Sequence, residues 1–268
     1  MITLAKDFFR DLYQNRYIII QLTRRDLQNR YIGSAFGFFW HLVQPLVMLL
    51  ILWFVLSQIL KVGITRENVP FVAWLITGSI AWNFFVEALS TSVNVFQEFS
   101  YLVKKLNFRV AILPLVKISS ALISHLIFLF IAVIILLATN VPFSLYWLQS
   151  VYYLFALTVC LLSLSWLFSA INVFVRDIAY FITICLQFLY WLTPVIWHIE
   201  DLPARYQLVF KLNPLFYIIT GYRDSFINQI PFWERPLLGL YFWGITCITL
   251  GIGILVFRRL RPHFADVL

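Results

Sequence analysis

Few side chains in this chain could do chemistry, and their spacing limits what they could do. The four histidines, His41, His125, His198 and His263, are scattered. The three cysteines, Cys160, Cys185 and Cys247, lie singly inside apolar runs. Neither set has the spacing of a zinc site or a redox dithiol, so no metal centre and no catalytic residue is expected. No GxxxxGK(S/T) loop is present to cradle a nucleoside triphosphate, and HExxH and GxSxG are also absent. Glu87 and His125 fall inside long apolar stretches, where an ionisable group is a functional candidate by default. Arg176 and Asp177 stand side by side at the end of another apolar stretch, either as an interface anchor or as a charge pair that fixes a turn. The densest charge is N-terminal: Arg16, Arg24, Arg25 and Arg30 surround Asp26, and an aromatic run ending in Phe38-Phe39-Trp40 follows without a linker. A second mixed stretch, 93–110, carries Glu98, Lys104, Lys105 and Arg109 among apolar residues.

The elements that must position these groups follow from composition. Of 268 residues, 62% are hydrophobic and 12% charged, with mean hydropathy +0.87. An average soluble domain is roughly 25% charged, so the chain reads as an all-α integral membrane protein. Alternating segments of about ten residues, the mark of a β-barrel, are missing. A span needs roughly 20 apolar residues, and six stretches qualify: about 42–60, 70–92, 111–138, 147–174, 178–197 and 237–257. Pro45 is expected near the opening of the first, where its missing N–H costs little. Residues 1–41 form an N-terminal cytoplasmic and interfacial segment, with an amphipathic helix expected over 8–20, and 42–268 form the transmembrane domain. No signal peptide is evident in residues 1–40.

Charge asymmetry sets orientation. Fourteen of the 20 Lys and Arg fall on the side of the N-terminal segment, the loop after the second span, Arg176 and the C-terminal Arg258, Arg259 and Arg261. The other side has Lys61, Arg66, Arg205, Lys211, Arg223 and Arg235. Both termini are therefore placed in the cytoplasm of a multi-pass protein. The net charge of +8 reflects this asymmetry and needs no nucleic acid. The connection 198–236 is long, apolar and broken by Pro203, Pro214 and Pro231, which suits a helical hairpin that dips into the outer leaflet without crossing it. Aromatics make up 19% of the chain. Trp53, Phe54, Trp82, Phe85, Tyr190 and Trp191 fall well inside spans, and either pack helix on helix or line a pore suited to the C–H faces of sugar rings.

Several residues carry a resemblance. Arg30-Tyr31, Ser34-x-x-Gly37-x-x-Trp40 and Pro45 open the chain. Pro70, Gly78-x-x-x-Trp82, Asn172-x-x-x-Arg176-Asp177, Thr193-Pro194-Val195, Asn213-Pro214 and Arg223 follow in order. Together they resemble the transmembrane subunits of bacterial polysaccharide ABC exporters, the ABC-2 permeases for O-antigen, capsule and teichoic acid chains. That resemblance implies a six-span, homodimeric, channel-forming permease in the bacterial inner membrane, working with two copies of a separate ABC ATPase. The cargo would be a lipid-linked polysaccharide, with a periplasmic adaptor in a capsule system. This chain would hold no cofactor, since ATP and Mg belong to the partner ATPase. By position, 95–109 would be the ATPase-coupling helix, with Glu98, Lys104, Lys105 and Arg109. Residues 198–226 would be the re-entrant outer hairpin. Arg24, Arg25 and Arg30 are candidates to attract the lipid phosphate or to gate the inner face; setting topology is the plainer role. Rival readings are an ABC-2 permease for a drug or small lipid, a secondary transporter, or a membrane transferase. The last two lack the buried acids or clustered polar site they would need.

Overall fold

The computed structural model describes residues 14–30, 39–61, 69–105 and 108–268. The described residues are organised by helices: α1 Arg16–Asn29, α2 Phe39–Phe54, α3 Phe71–Val93, α4 Val95–Glu98, α5 Ser100–Val103 and α6 Leu113–Ala138. They continue with α7 Ser150–Asn172, α8 Asp177–Leu192, α9 Ala204–Lys211, α10 Pro214–Arg223, α11 Pro236–Leu260 and α12 Phe264–Val267. Residues 8–13 of the expected N-terminal helix over 8–20 lie outside the described residues. The part that is described begins at Arg16 and runs on to Asn29.

Among the described residues, four helical stretches are long and apolar enough to cross a membrane: Phe71–Val93, Val110–Ala138, Leu145–Asn172 and Pro236–Val267. The 23 residues of α3 span about 34 Å at 1.5 Å per residue, enough for a hydrocarbon core of about 30 Å. At the first and fifth expected positions stand shorter apolar helices, Val43–Ile59 and Asp177–Leu192. The fifth falls short of residue 197 because Thr193 is extended (φ −102°, ψ 133°), as a residue before proline tends to be. Pro45 also differs from expectation: it lies inside α2, not in its opening turn. Proline within an apolar membrane-type helix is tolerated when neighbouring groups re-satisfy the freed backbone.

Two large cores and a small cluster of Phe71, Trp74 and Leu75 hold the described residues together. The larger runs through α3, α6, α7 and α10 and takes in Phe242 of α11, with Trp82, Phe84, Tyr153, Leu161, Tyr217 and Phe242 buried. Here α7 lies along α11, and α3 along α6. The second core sits at the basic end. Val95, Phe96, Phe99 and Val103 pack there with Trp166, Val173, Phe257 and Phe264. The 95–109 stretch is thus two short helices joined at Phe99, described to Lys105 and again from Phe108. Its apolar positions turn inward at near-helical spacing, while Glu98, Lys104, Lys105 and Arg109 are exposed.

The expected outer hairpin is a pair of helices, α9 and α10. Asn213 caps α10, its side chain accepting from Leu215 N at 3.0 Å, and Pro214 follows at the first helical position. The two helices part company in environment. No residue of α9 is buried, whereas Leu215 to Ile219 and Gly221 to Arg223 of α10 all are.

A candidate coupling site at the basic end of the bundle

Five charges from four helices meet beside the second core. Asp26 and Arg30 come from the last turn of α1 and the residue after it, Glu87 from α3, Glu98 from α4 and Lys117 from α6. Lys117 Nζ lies 2.5 Å from Asp26 Oδ1 and also pairs with Glu98 Oε2. Arg30 reaches Asp26 at 2.8 Å and Glu87 Oε1 at 3.0 Å. Ser124 Oγ donates to the same Glu87 oxygen at 3.3 Å. The chain Glu87–Arg30–Asp26–Lys117–Glu98 alternates in sign at every step. Lys117 is 3% exposed and Asp26 4%. A charge buried alone would cost several kcal/mol, and alternation gives each of these a partner.

The chemistry available here is mechanical. A surface carboxylate, Glu98, is tied through Lys117 and Asp26 to α1, and through Arg30 to the inside of α3. A cavity of about 510 Å³ opens beside the network, lined by Arg25, Asn29, Thr91, Phe99 and Tyr101 as well as by Asp26, Arg30, Glu98 and Lys117. Arg25 lies 5.9 Å from the Tyr101 ring centroid.

A buried arginine sits at the other end of α3. Arg223, from the end of α10, lies 3.4 Å from the Trp74 ring centroid. Its Nη1 donates to Pro194 O at 2.7 Å and its Nη2 to Val195 O at 2.8 Å. His198 stacks on Trp74 at 4.1 Å. Gly78 leaves room for this, since a Cβ there would come within 2.9 Å of Nη2. Asn213 Nδ2 donates to Thr193 Oγ1 at 2.7 Å, and the neighbouring Asp224, fully buried, pairs with Arg235 at 2.5 Å. Gly78, Thr193-Pro194-Val195, Asn213 and Arg223, scattered motifs in the sequence, are therefore parts of one clamp.

The sequence pattern described as ABC-2 type transporter matches residues 17–227, which include the basic-end network and the Arg223 clamp. This chain belongs to the ABC-2 type transporter family. Among curated proteins it is 26% identical over 252 residues to an O-antigen export system permease protein RfbA of Klebsiella pneumoniae, covering 94% of this chain and 95% of that one. It is also 26% identical over 267 residues to a protein of the same name from Myxococcus xanthus, covering 96% and 97%. The family and the four apolar helices make it a multi-pass membrane protein.

Within this ABC-2 chain the remaining candidates disperse. Arg24 and Arg25 are exposed on α1, whereas Arg30 is drawn into the network. Trp82 and Phe85 are buried in the main core, with Tyr190 5.4 Å from Trp82. Trp53 packs partly against Phe71, Trp74 and Leu75. Phe54 and Trp191 are exposed on this chain. Arg176 and Asp177 are both exposed where α8 begins, and Asp177 suits that helix's N-terminal dipole. His125 is buried, with Nε2 3.0 Å from Tyr222 Oη. Asp26 and Lys117 went unrecognised in the sequence as a pair. In the sequence Lys117 is one of the cations that follow the second apolar stretch, yet in the fold it stands inside the apolar helix α6, where an ionisable residue wants a partner.

Proposed function

We propose that this chain is the channel-forming membrane subunit of an ATP-driven exporter, moving a lipid-linked polysaccharide out of the cytoplasm across the inner membrane. The observation that carries this reading is the match, along 94–96% of the chain, to relatives named O-antigen export permeases. Two copies form the channel, and two copies of a separate ABC ATPase drive it. The missing phosphate-binding loop supports an energy source on another chain. A periplasmic adaptor belongs only to a capsule-type system. Both termini lie in the cytoplasm, following the Lys and Arg bias.

The basic end suits the transmission of force. Glu98, Lys104, Lys105 and Arg109 present an exposed face beneath which Val95, Phe96, Phe99 and Val103 are fixed in the second core. ATPase closure would press on this face, and the Glu98–Lys117–Asp26–Arg30–Glu87 chain would pass the displacement to α1 and α3 as a rigid-body change. The test is to delete the chain in its native cell and to pull down the tagged protein, with mass spectrometry of bound protein and lipid. Loss of surface polysaccharide and recovery of an ABC ATPase are expected. Unchanged surface polysaccharide, or transport by the chain without an ATPase, would refute the reading.

A further inference from the structure

Where α3 passes into α4, a second cavity of about 510 Å³ opens against the start of α8. It is built differently from the cavity beside the ion network. Its polar lining comes from Ser90, Asn94 and Gln97 on one side and from Arg176, Tyr180 and Thr183 on the other, with Asn172 between them. No carboxylate lines it.

Asn172, 1% exposed, fixes both walls. Its Nδ2 donates to Val93 O at 3.1 Å and to Asn94 Oδ1 at 3.0 Å, while its Oδ1 accepts from Ala179 N at 3.2 Å. Gln97 Nε2 donates to the Asn172 carbonyl at 2.8 Å, and Gln97 Oε1 is a buried acceptor without a partner among the described residues. Tyr180 is 73% exposed beside these groups. Amides and hydroxyls gathered between two apolar helices, with one cation and one open aromatic ring, match a ligand that is rich in hydroxyls and carries one anionic group. The volume is within the range of about 300–1,000 Å³ usual for small-molecule sites.

We propose that this cavity binds the glycosyl-phosphate portion of the lipid-linked chain, which deepens the export reading and rests on it. Arg176 faces the phosphate, the Tyr180 ring packs on the C–H face of the first sugar, and Asn94, Gln97 and Thr183 exchange hydrogen bonds with its hydroxyls. In the ion-network cavity, by contrast, Arg30 and Lys117 are already held by Asp26, Glu87 and Glu98.

The test places the photoreactive residue p-benzoylphenylalanine at Tyr180 and, separately, at Phe130, an exposed apolar position on α6. Native cells carrying each tagged full-length chain are irradiated, and the purified chain is probed with an antiserum against the cell's surface polysaccharide. Glycan is expected on the chain labelled at Tyr180 and not on the one labelled at Phe130. Tyr180→Phe should keep export, and Tyr180→Ala should lower its rate roughly two- to tenfold with ATPase association unchanged. Normal export without glycan attached at Tyr180 would overturn the site while leaving the export reading intact. Attachment of a second copy or of the ATPase at Tyr180 instead would also overturn it, assigning the cavity to a protein contact. Surface polysaccharide that persists without the chain would remove the export reading and the site together.

Discussion

Lys117 shows what a single residue does in this molecule. It is almost completely buried in an apolar helix, yet it holds two carboxylates from two other helices. Lys117→Met keeps the volume and removes the charge, leaving Asp26 with only Arg30 of its two cations. Removing one partner of a buried pair costs about 3–5 kcal/mol; the low end, ~3 kcal/mol, is expected because Arg30 remains. The apparent Tm of the detergent-purified chain should fall clearly. Adding Asp26→Asn to Lys117→Met should cost less than the sum of the two single changes, since both break the same contact. Strictly additive losses would show that the two groups do not act as a pair.

At the scale of elements, close approach is bought with glycine. A Cβ at Gly221 of α10 would lie 2.1 Å from the ring of Tyr153 on α7, and that ring is fully buried. A Cβ at Gly253 of α11 would lie 2.8 Å from the Ser163 carbonyl of α7. Small residues at such crossings let apolar helices pack backbone to backbone. Gly221→Ala should therefore overpack the α7–α10 contact by about 1–3 kcal/mol or more, visible as lost monodisperse protein in size-exclusion chromatography. Gly244→Ala and Gly251→Ala have open space around the new methyl group and should behave as the parent. The helices themselves were largely legible in the sequence, because twenty or so apolar residues in a row permit little else. Where α8 stops was not, since the apolar pattern continues to Trp197 while Thr193-Pro194 breaks the backbone. The split of the 198–226 stretch into an exposed α9 and a buried α10 follows composition, since α9 carries Arg205, Gln207 and Lys211 whereas α10 is mostly apolar up to Arg223.

For the whole molecule, the basic end combines a rigid core with an exposed charged face. Replacing Lys104, Lys105 and Arg109 together by Glu leaves the second core untouched, since all three are exposed. Folding and membrane insertion should be unchanged, while recovery of the ATPase in pull-downs and export of polysaccharide should both collapse. Full export with normal ATPase recovery would remove these three cations from the docking surface.

By itself the sequence determined the all-α membrane class, the four long apolar helices and the uneven distribution of Lys and Arg, together with the resemblance to polysaccharide exporters. These rest on length, hydropathy and charge count, which are properties of consecutive residues. It also marked Glu87, Glu98 and Arg30 as separate candidates with three separate roles. Only the tertiary structure joined them, through Asp26 and Lys117, across 91 residues of chain. It likewise brought Gly78, Val195 and Arg223 into one clamp. The physical reason is that burial decides what a charge must do. An exposed Lys or Asp needs no particular partner, whereas one enclosed among apolar helices is stable only where the fold brings the opposite charge to it.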